Sequence, residues 1–195
     1  PQAESKGLEQ IAFIYEDVPV QIKADALRLK QILTNLISNA IRFTHEGEIV
    51  IRVMLEETRN AQHLLRISVS DTGKGLSEHE KDHLFTAFQQ GNPTISREAG
   101  GTGLGLVISK SLVKLMAGDI GLDSEQIIVS TFWFTFKANV FNASEPQHTT
   151  LLTDKQILAL ESHEKNSQLL KSTFFNAHAE IKVVKTWTDL LAKAK

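Results

Sequence analysis

Three groups of residues in this sequence have the types and spacing to do chemistry. Gly100-Gly101-Thr102-Gly103-Leu104-Gly105 puts four glycines in six residues, directly ahead of the apolar-periodic stretch VISKSLVKLMAG. Glycine lets a backbone approach a ligand closely, and the first N–H groups of a helix are unpaired at the positive end of its dipole. Loop and helix together make a phosphate seat. Asp71-Thr72-Gly73-Lys74-Gly75 sets a carboxylate ahead of two spaced glycines. The carboxylate can accept a hydrogen bond from an amino group such as adenine N6, while the glycines let the chain turn under a flat base. Asn35, Asn39 and Arg42 recur at i, i+4 and i+7, which stacks two carboxamides and a guanidinium along one helical stripe.

Two familiar phosphate loops are excluded. A P-loop requires a glycine before Lys-Ser/Thr, and Ser109 stands there ahead of Lys110-Ser111. The dinucleotide fingerprint requires a third glycine where Leu106 stands after Gly101 and Gly103. Each group also has a plainer alternative: a linker before a helix, an Asp-Gly turn, and the polar rim of a solvated helix.

The elements that must position these residues follow from periodicity. Residues 8–23 read as two short strands around Val18-Pro19. Residues 25–43 read as a helix capped by Asp25, with Leu29, Ile32, Leu33, Leu36, Ala40 and Phe43 on its apolar stripe. Asn is a poor helix former, and it occurs twice in the middle of this one. Residues 48–55 and 64–70 alternate as an antiparallel pair joined by a polar loop at 56–63, and the second strand ends at Asp71. A short helix capped by Ser77 runs to Phe88, with Leu84 and Phe85 apolar. Residues 89–100 form a loop of about twelve residues carrying one cation, Arg97, a length expected of a lid or a linker. A helix over 104–117 ended by Gly118 follows, then strands near 120–123 and 130–136. Beyond a polar linker, residues 157–161, 164–177, 181–184 and 188–194 read as strand, helix, strand, helix. That pattern suggests a parallel α/β unit, and about 45 residues cannot bury such a core alone.

Composition removes several classes. Net charge is −2 with no Lys/Arg run, so nothing points to nucleic acid. There is no cysteine, hence no disulfide framework or thiolate zinc site. No apolar run approaches the length of a membrane span and no signal peptide is visible, so membrane contact by this stretch is not expected. The start at Pro1, without an initiator Met, reads as a fragment.

In order, RLKQILTNLISNAIRFT, DTGKGL, LFTAF and GGTGLGL resemble the N, G1, F and G2 boxes of the ATP-binding domain of sensor histidine kinases. That domain belongs with the gyrase, Hsp90 and MutL-type ATPases. The likeness covers residues 7 to about 137, with STFWF closing the domain, and is nearest to large hybrid kinases. It implies an α/β (α+β) two-layer sandwich, a mixed and mostly antiparallel sheet covered by helices. It implies ATP and Mg²⁺ as ligands. Asp71 would read the adenine amine, with Gly73 and Gly75 shaping the base pocket. Asn39 would hold Mg²⁺ through its carboxamide oxygen. Asn35 and Arg42 would face the phosphates, Arg97 would add charge to the γ-phosphate, and Phe88 would pack the base of the lid. The backbone of Gly101, Thr102, Gly103, Leu104 and Gly105 would cradle the phosphate chain. Hydrolysing relatives carry Glu where Asn35 stands, so phosphoryl transfer with poor intrinsic hydrolysis is expected. Lys74 replaces a usually apolar residue and is expected in solvent. Residues 125–129 replace a glycine-containing turn, which leaves the geometry of the last hairpin open.

The resemblance divides the chain into the ATP-binding domain (1–137), a linker (138–153) and a partial receiver-like segment (154–195). Glu161 and Ser162 stand where a working receiver has paired acids, so a degenerate pseudo-receiver is expected. Ser162-His163-Glu164 echoes the phosphoacceptor context only in part, and the acceptor histidine is expected on a separate dimerisation domain. The expected partners are that domain and a downstream receiver or response regulator. The expected location is cytoplasmic, as part of a membrane-anchored sensor, and this stretch alone is expected to be monomeric. The competing reading is a nucleotide-binding regulatory module without transfer activity.

Overall fold

The computed structural model describes residues 2–59, 62–76, 81, 84, 104–125, 129–140, 152–153, 155–176 and 179–193. The chain divides into two units, Pro1–Ala143 and Ser144–Lys195. In the first, β1 (Glu9–Ile14) runs parallel to β3 (Glu48–Arg59), and β3, β4 (Gln62–Asp71) and β6 (Val129–Val140) continue antiparallel. The short β2 (Ile22–Lys23) and β5 (Ile120–Glu125) both pair with β6, giving the order β1-β3-β4-β6-β2 with β5 off this path. The sheet is mixed and mostly antiparallel, with helices on one face, as the sequence implied.

Helix α1 (Ala26–Phe43) forms where the apolar stripe predicts it. Its N-cap is Asp25, whose side chain accepts from the Arg28 N–H at 3.1 Å. Such a cap stabilises a helix by about 1 kcal/mol. Ile32, Leu36 and Ala40 are buried against the inward face of the sheet, where Leu65, Ile67 and Val69 of β4 meet Phe132, Phe134 and Phe136 of β6. Helix α2 (Gly105–Leu115) adds Val113 to this core.

Several boundaries differ from expectation. The polar stretch expected as a loop at 56–63 is mostly strand, with a bulge between Leu55 and Glu57. Its polar side chains pair across the ladder, as Arg66 does with Glu56 at 3.1 Å, so no apolar pattern marks it. Strand β6 reaches Val140 because β2 pairs there. The β5–β6 pairing extends to Glu125↔Val129, which closes the hairpin whose turn lacked glycine. Helix α2 ends at Leu115, and the left-handed residue after it is Ala117 (φ 53°), not Gly118. Gly118 is required for another reason: a Cβ there would overlap the Thr135 carbonyl oxygen of β6 and lie 2.5 Å from its carbon. Phe43, expected on the buried stripe, is 37% exposed. The helix expected over 77–88 lies outside the described residues, apart from Lys81 and Leu84.

In the second unit β7 (Gln156–Leu160) and β8 (Glu180–Val184) are parallel, with α3 (Glu164–Asn176) between them and α4 (Trp187–Lys193) after them. Thr186 caps α4 reciprocally with Asp189: its Oγ1 accepts from Asp189 N at 3.1 Å and donates to Asp189 Oδ2 at 2.7 Å. Among the described residues no helix is long and apolar enough to cross a membrane.

Candidate functional site

Asp71 closes β4, paired on either side with Ile49 and Ser130, so the sheet holds its backbone. Its side chain is only 5% exposed. One carboxylate oxygen, Oδ1, accepts from the Gly73 N–H at 3.0 Å and from the Thr44 hydroxyl at 3.5 Å. Thr44 is fully buried and is the C-cap of α1. The other oxygen accepts no hydrogen bond from the described residues. Burial raises the Asp71 carboxyl above the ordinary aspartate range, and the Gly73 and Thr44 bonds pull it back in part. Gly73 has to be glycine: a Cβ there would lie 2.7 Å from Asp71 Oδ1 and 2.8 Å from the Phe43 carbonyl oxygen. Gly75 is left-handed at φ 67°, and Lys74 between them is exposed, as expected. The result is a buried carboxylate with one oxygen that takes no hydrogen bond among the described residues, beside a turn that glycine brings close to it.

Helix α1 carries the other polar group. Asn35 is half-buried and donates through Nδ2 to Ser109 Oγ of α2 at 2.9 Å. Ser109 is buried at 1% exposure, so the bond fixes the carboxamide between the two helices. Gly105 opens α2 against the same group, and a Cβ on it would lie 2.8 Å from Asn35 Cγ. Leu104, ahead of α2, gives no side-chain cap, and no acid stands in the first turn. No side chain among the described residues caps the first N–H groups of α2, which suits them to an anion. Asn39 is half-buried, and its carboxamide makes no hydrogen bond among the described residues. Arg42 is exposed in the last turn of α1. From Asn35 to Thr44 the helix spans about 13 Å, the scale of an extended nucleoside triphosphate.

The structure therefore brings Asp71, Gly73 and Gly75 together at one strand end, and Asn35, Leu104 and Gly105 together where α1 meets α2. Phe88, Arg97, Gly101, Thr102 and Gly103 lie outside the described residues. Among the described residues no cluster of three His, Cys, Asp or Glu stands ready for a metal. The donors on offer to a hard cation are carboxamide oxygens, which suit Mg²⁺ when phosphates supply the remaining ligands. Sequence reading missed Thr44 and Ser109 as members of the site. Ser109 had a signal: a hydroxyl four residues before Val113, on the stripe that packs inward.

The comparisons with known proteins agree with this geometry. Residues 24–140 match the family described as histidine kinase-, DNA gyrase B-, and HSP90-like ATPase. The chain is 44% identical over 182 residues to the sensor histidine kinase GacS of Pseudomonas protegens, covering 93% of this chain and 20% of that protein. It is 40% identical over 168 residues to the histidine-protein kinase BarA of Escherichia coli K12, covering 85% of this chain and 18% of that protein. It thus spans about a fifth of the length of these curated relatives. Among solved structures, full-length ShkA in complex with AMPPNP superposes with a TM-score of 0.74 at 26% identity, over 98% of this chain and 38% of that one. The catalytic domain of the histidine kinase ThkA superposes at 0.55 and 25% identity, over 69% of this chain and 82% of that one. With a buried acceptor at a strand end, a helix-borne carboxamide stripe and a family match spanning both, this chain belongs to the histidine kinase-, DNA gyrase B- and HSP90-like ATPases, and its relatives are sensor and signal-transduction histidine kinases.

Proposed function

We propose that this chain binds Mg·ATP and donates the γ-phosphoryl group to a histidine on a separate dimerisation domain of the same kinase, in two-component signalling. The observation that carries this is the pairing of an open, buried Asp71 oxygen with an Asn35 that is locked to Ser109. Asp71 accepts from the adenine amine, and Gly73 and Gly75 keep side chains out of the plane of the base. Asn35 and Arg42 face the phosphates, and Gly105 with the first turn of α2 receives them. Gly101, Thr102, Gly103 and Leu104 complete that cradle, Arg97 adds a positive charge from the lid, and Phe88 packs the lid's base. Asn39 would hold Mg²⁺ through its oxygen, and the ion, when bound, neutralises charge on the phosphates. A carboxamide cannot serve as a base for water, so Asn35 favours transfer to a histidine imidazole over hydrolysis.

The same reading makes 154–195 a receiver-like segment; the linker expected from 138 starts only beyond Val140, because residues 138–140 are still in β6. Glu161 is committed to the His163 backbone N–H at 2.8 Å and Ser162 is exposed, which supports a pseudo-receiver that does not take up phosphate. Acyl-phosphate formation on a longer chain would contradict that. The need for ATP favours a cytoplasmic location, and the downstream partner is a receiver or response regulator.

The test is titration of a fluorescent ATP analogue with Mg²⁺, followed by a transfer assay with the dimerisation domain supplied. Nucleotide binding with acceptor-dependent phosphorylation is the expected result. Binding without transfer would favour the regulatory module instead, and appreciable turnover without any acceptor would favour a hydrolysing ATPase.

A further inference from the structure

Ahead of β1, the chain makes one tight turn with a task of its own. Ala3 and Leu8 are buried in the core, and the turn between them is closed by Leu8 N–H donating to the Ala3 carbonyl at 2.9 Å. This anchored turn presents Lys6. Its ammonium donates to the carbonyls of Ile41 at 2.6 Å, Arg42 at 3.3 Å and Thr44 at 3.3 Å. These are carbonyls at the C-terminus of α1, where a helix leaves acceptors unpaired and its dipole favours a cation.

That helix end is one wall of the base pocket. The Thr44 hydroxyl donates to Asp71, and the Phe43 carbonyl lies directly under Gly73. The loop that follows is tied to the same place. Thr72 Oγ1 accepts from Glu48 N at 3.0 Å, and Glu9 N donates to the Gly47 carbonyl at 3.0 Å. Lys6 therefore grips, from 35 to 38 residues earlier in the chain, the segment that sets the distance between α1 and the Asp71–Gly73 turn.

We propose that Lys6 is a positioning residue for adenine recognition. It holds the last turn of α1 so that Thr44 and the Phe43 carbonyl keep Asp71 and Gly73 in register with the base. This rests on the reading of Asp71 as the adenine acceptor. The effect is on the base and not on the phosphates, because Asn35 sits about two and a half turns away and is held independently by Ser109.

The test measures affinity for adenine and hypoxanthine nucleotides, which differ at the 6-amino group, in the unsubstituted chain, Lys6→Met, Lys6→Arg, Asp71→Asn and the Lys6→Met/Asp71→Asn pair. Thermal unfolding identifies variants that are folded. Lys6→Met is expected to weaken adenine-nucleotide binding by about 3- to 10-fold, shrinking the adenine preference, with Lys6→Arg restoring most of it. In the Asp71→Asn background the same substitution is expected to cost nothing further. Equal weakening for both bases, or full additivity with Asp71→Asn, would overturn the proposal in favour of simple stabilisation. An unchanged Lys6→Met beside a weakened Asp71→Asn would refute Lys6 alone, whereas an unchanged Asp71→Asn would refute the reading of Asp71 beneath it.

Discussion

Two carboxylates stand at strand ends in this molecule and use the same local bond for different ends. Asp71 after β4 accepts from the N–H two residues on, at 3.0 Å, and Glu161 after β7 does the same at 2.8 Å. The difference lies around them. Asp71 is almost wholly buried, with Thr44 donating from beneath, a glycine where the chain turns, and one oxygen without a hydrogen bond among the described residues. Glu161 is half-buried ahead of α3, beside an exposed Ser162 and an exposed Glu164–Lys185 ion pair at 3.1 Å. A carboxylate accepting from its i+2 N–H makes a turn in either place. Only removal from water, with an acceptor left over, equips such a carboxylate to read a ligand amine.

The largest effect is expected at Asp71. Asp71→Asn should lower adenine-nucleotide affinity by about 10- to 100-fold, the scale of one hydrogen bond to a charged group, as read by fluorescence titration. The pH dependence should follow. Ionised Asp71 is the acceptor, so affinity is full above its raised pKa and falls as pH drops through it. Folding runs the other way. The native state keeps the Asp71 proton to a higher pH than the unfolded chain does, so its contribution to stability is greatest in acid. That contribution is lost as pH rises through the folded pKa. Urea melts across that range should show the slope, and Asp71→Asn should flatten it without destabilising the chain at neutral pH.

Smaller effects sharpen the picture. Ser109→Ala should free the Asn35 carboxamide and slow transfer at saturating nucleotide by about fivefold, with affinity within about twofold. Combined with Asn35→Ala it should add almost nothing, since the serine acts through the asparagine. Glu161→Gln should cost about 0.5–1 kcal/mol of stability in the melt, where Asp71→Asn costs none.

Much of this was legible before any coordinates. The α1 stripe, its Asp25 cap and the alternation of β3 and β4 are local patterns, and local patterns survive folding. Asp71 was legible because glycines at fixed spacing mark a backbone that must pass close to something. What sequence could not give was the companions. Thr44 lies 27 residues from Asp71 and Ser109 lies 74 from Asn35; the place of Ser109 on the inward stripe signals its burial, but nothing local names either partner. Helix ends misled for a related reason. Gly118 was read as the residue that ends the helix, yet β6 approaches so closely there that glycine is needed for space, and Ala117 takes the left-handed position. The polar tip of the β3–β4 hairpin was missed because a ladder solvated on both faces needs no apolar alternation.

The central claim is that Asp71 recognises the exocyclic amine of adenine, and base discrimination tests it most directly. Affinities for ATP and for the analogue with a 6-oxo base should be measured with Mg²⁺ on the unsubstituted chain and on Asp71→Asn. The unsubstituted chain should prefer adenine by at least about tenfold. In Asp71→Asn that preference should collapse, because a carboxamide can donate to the 6-oxo group. An adenine preference of the same size in both proteins would contradict it, and would place base recognition elsewhere in the fold.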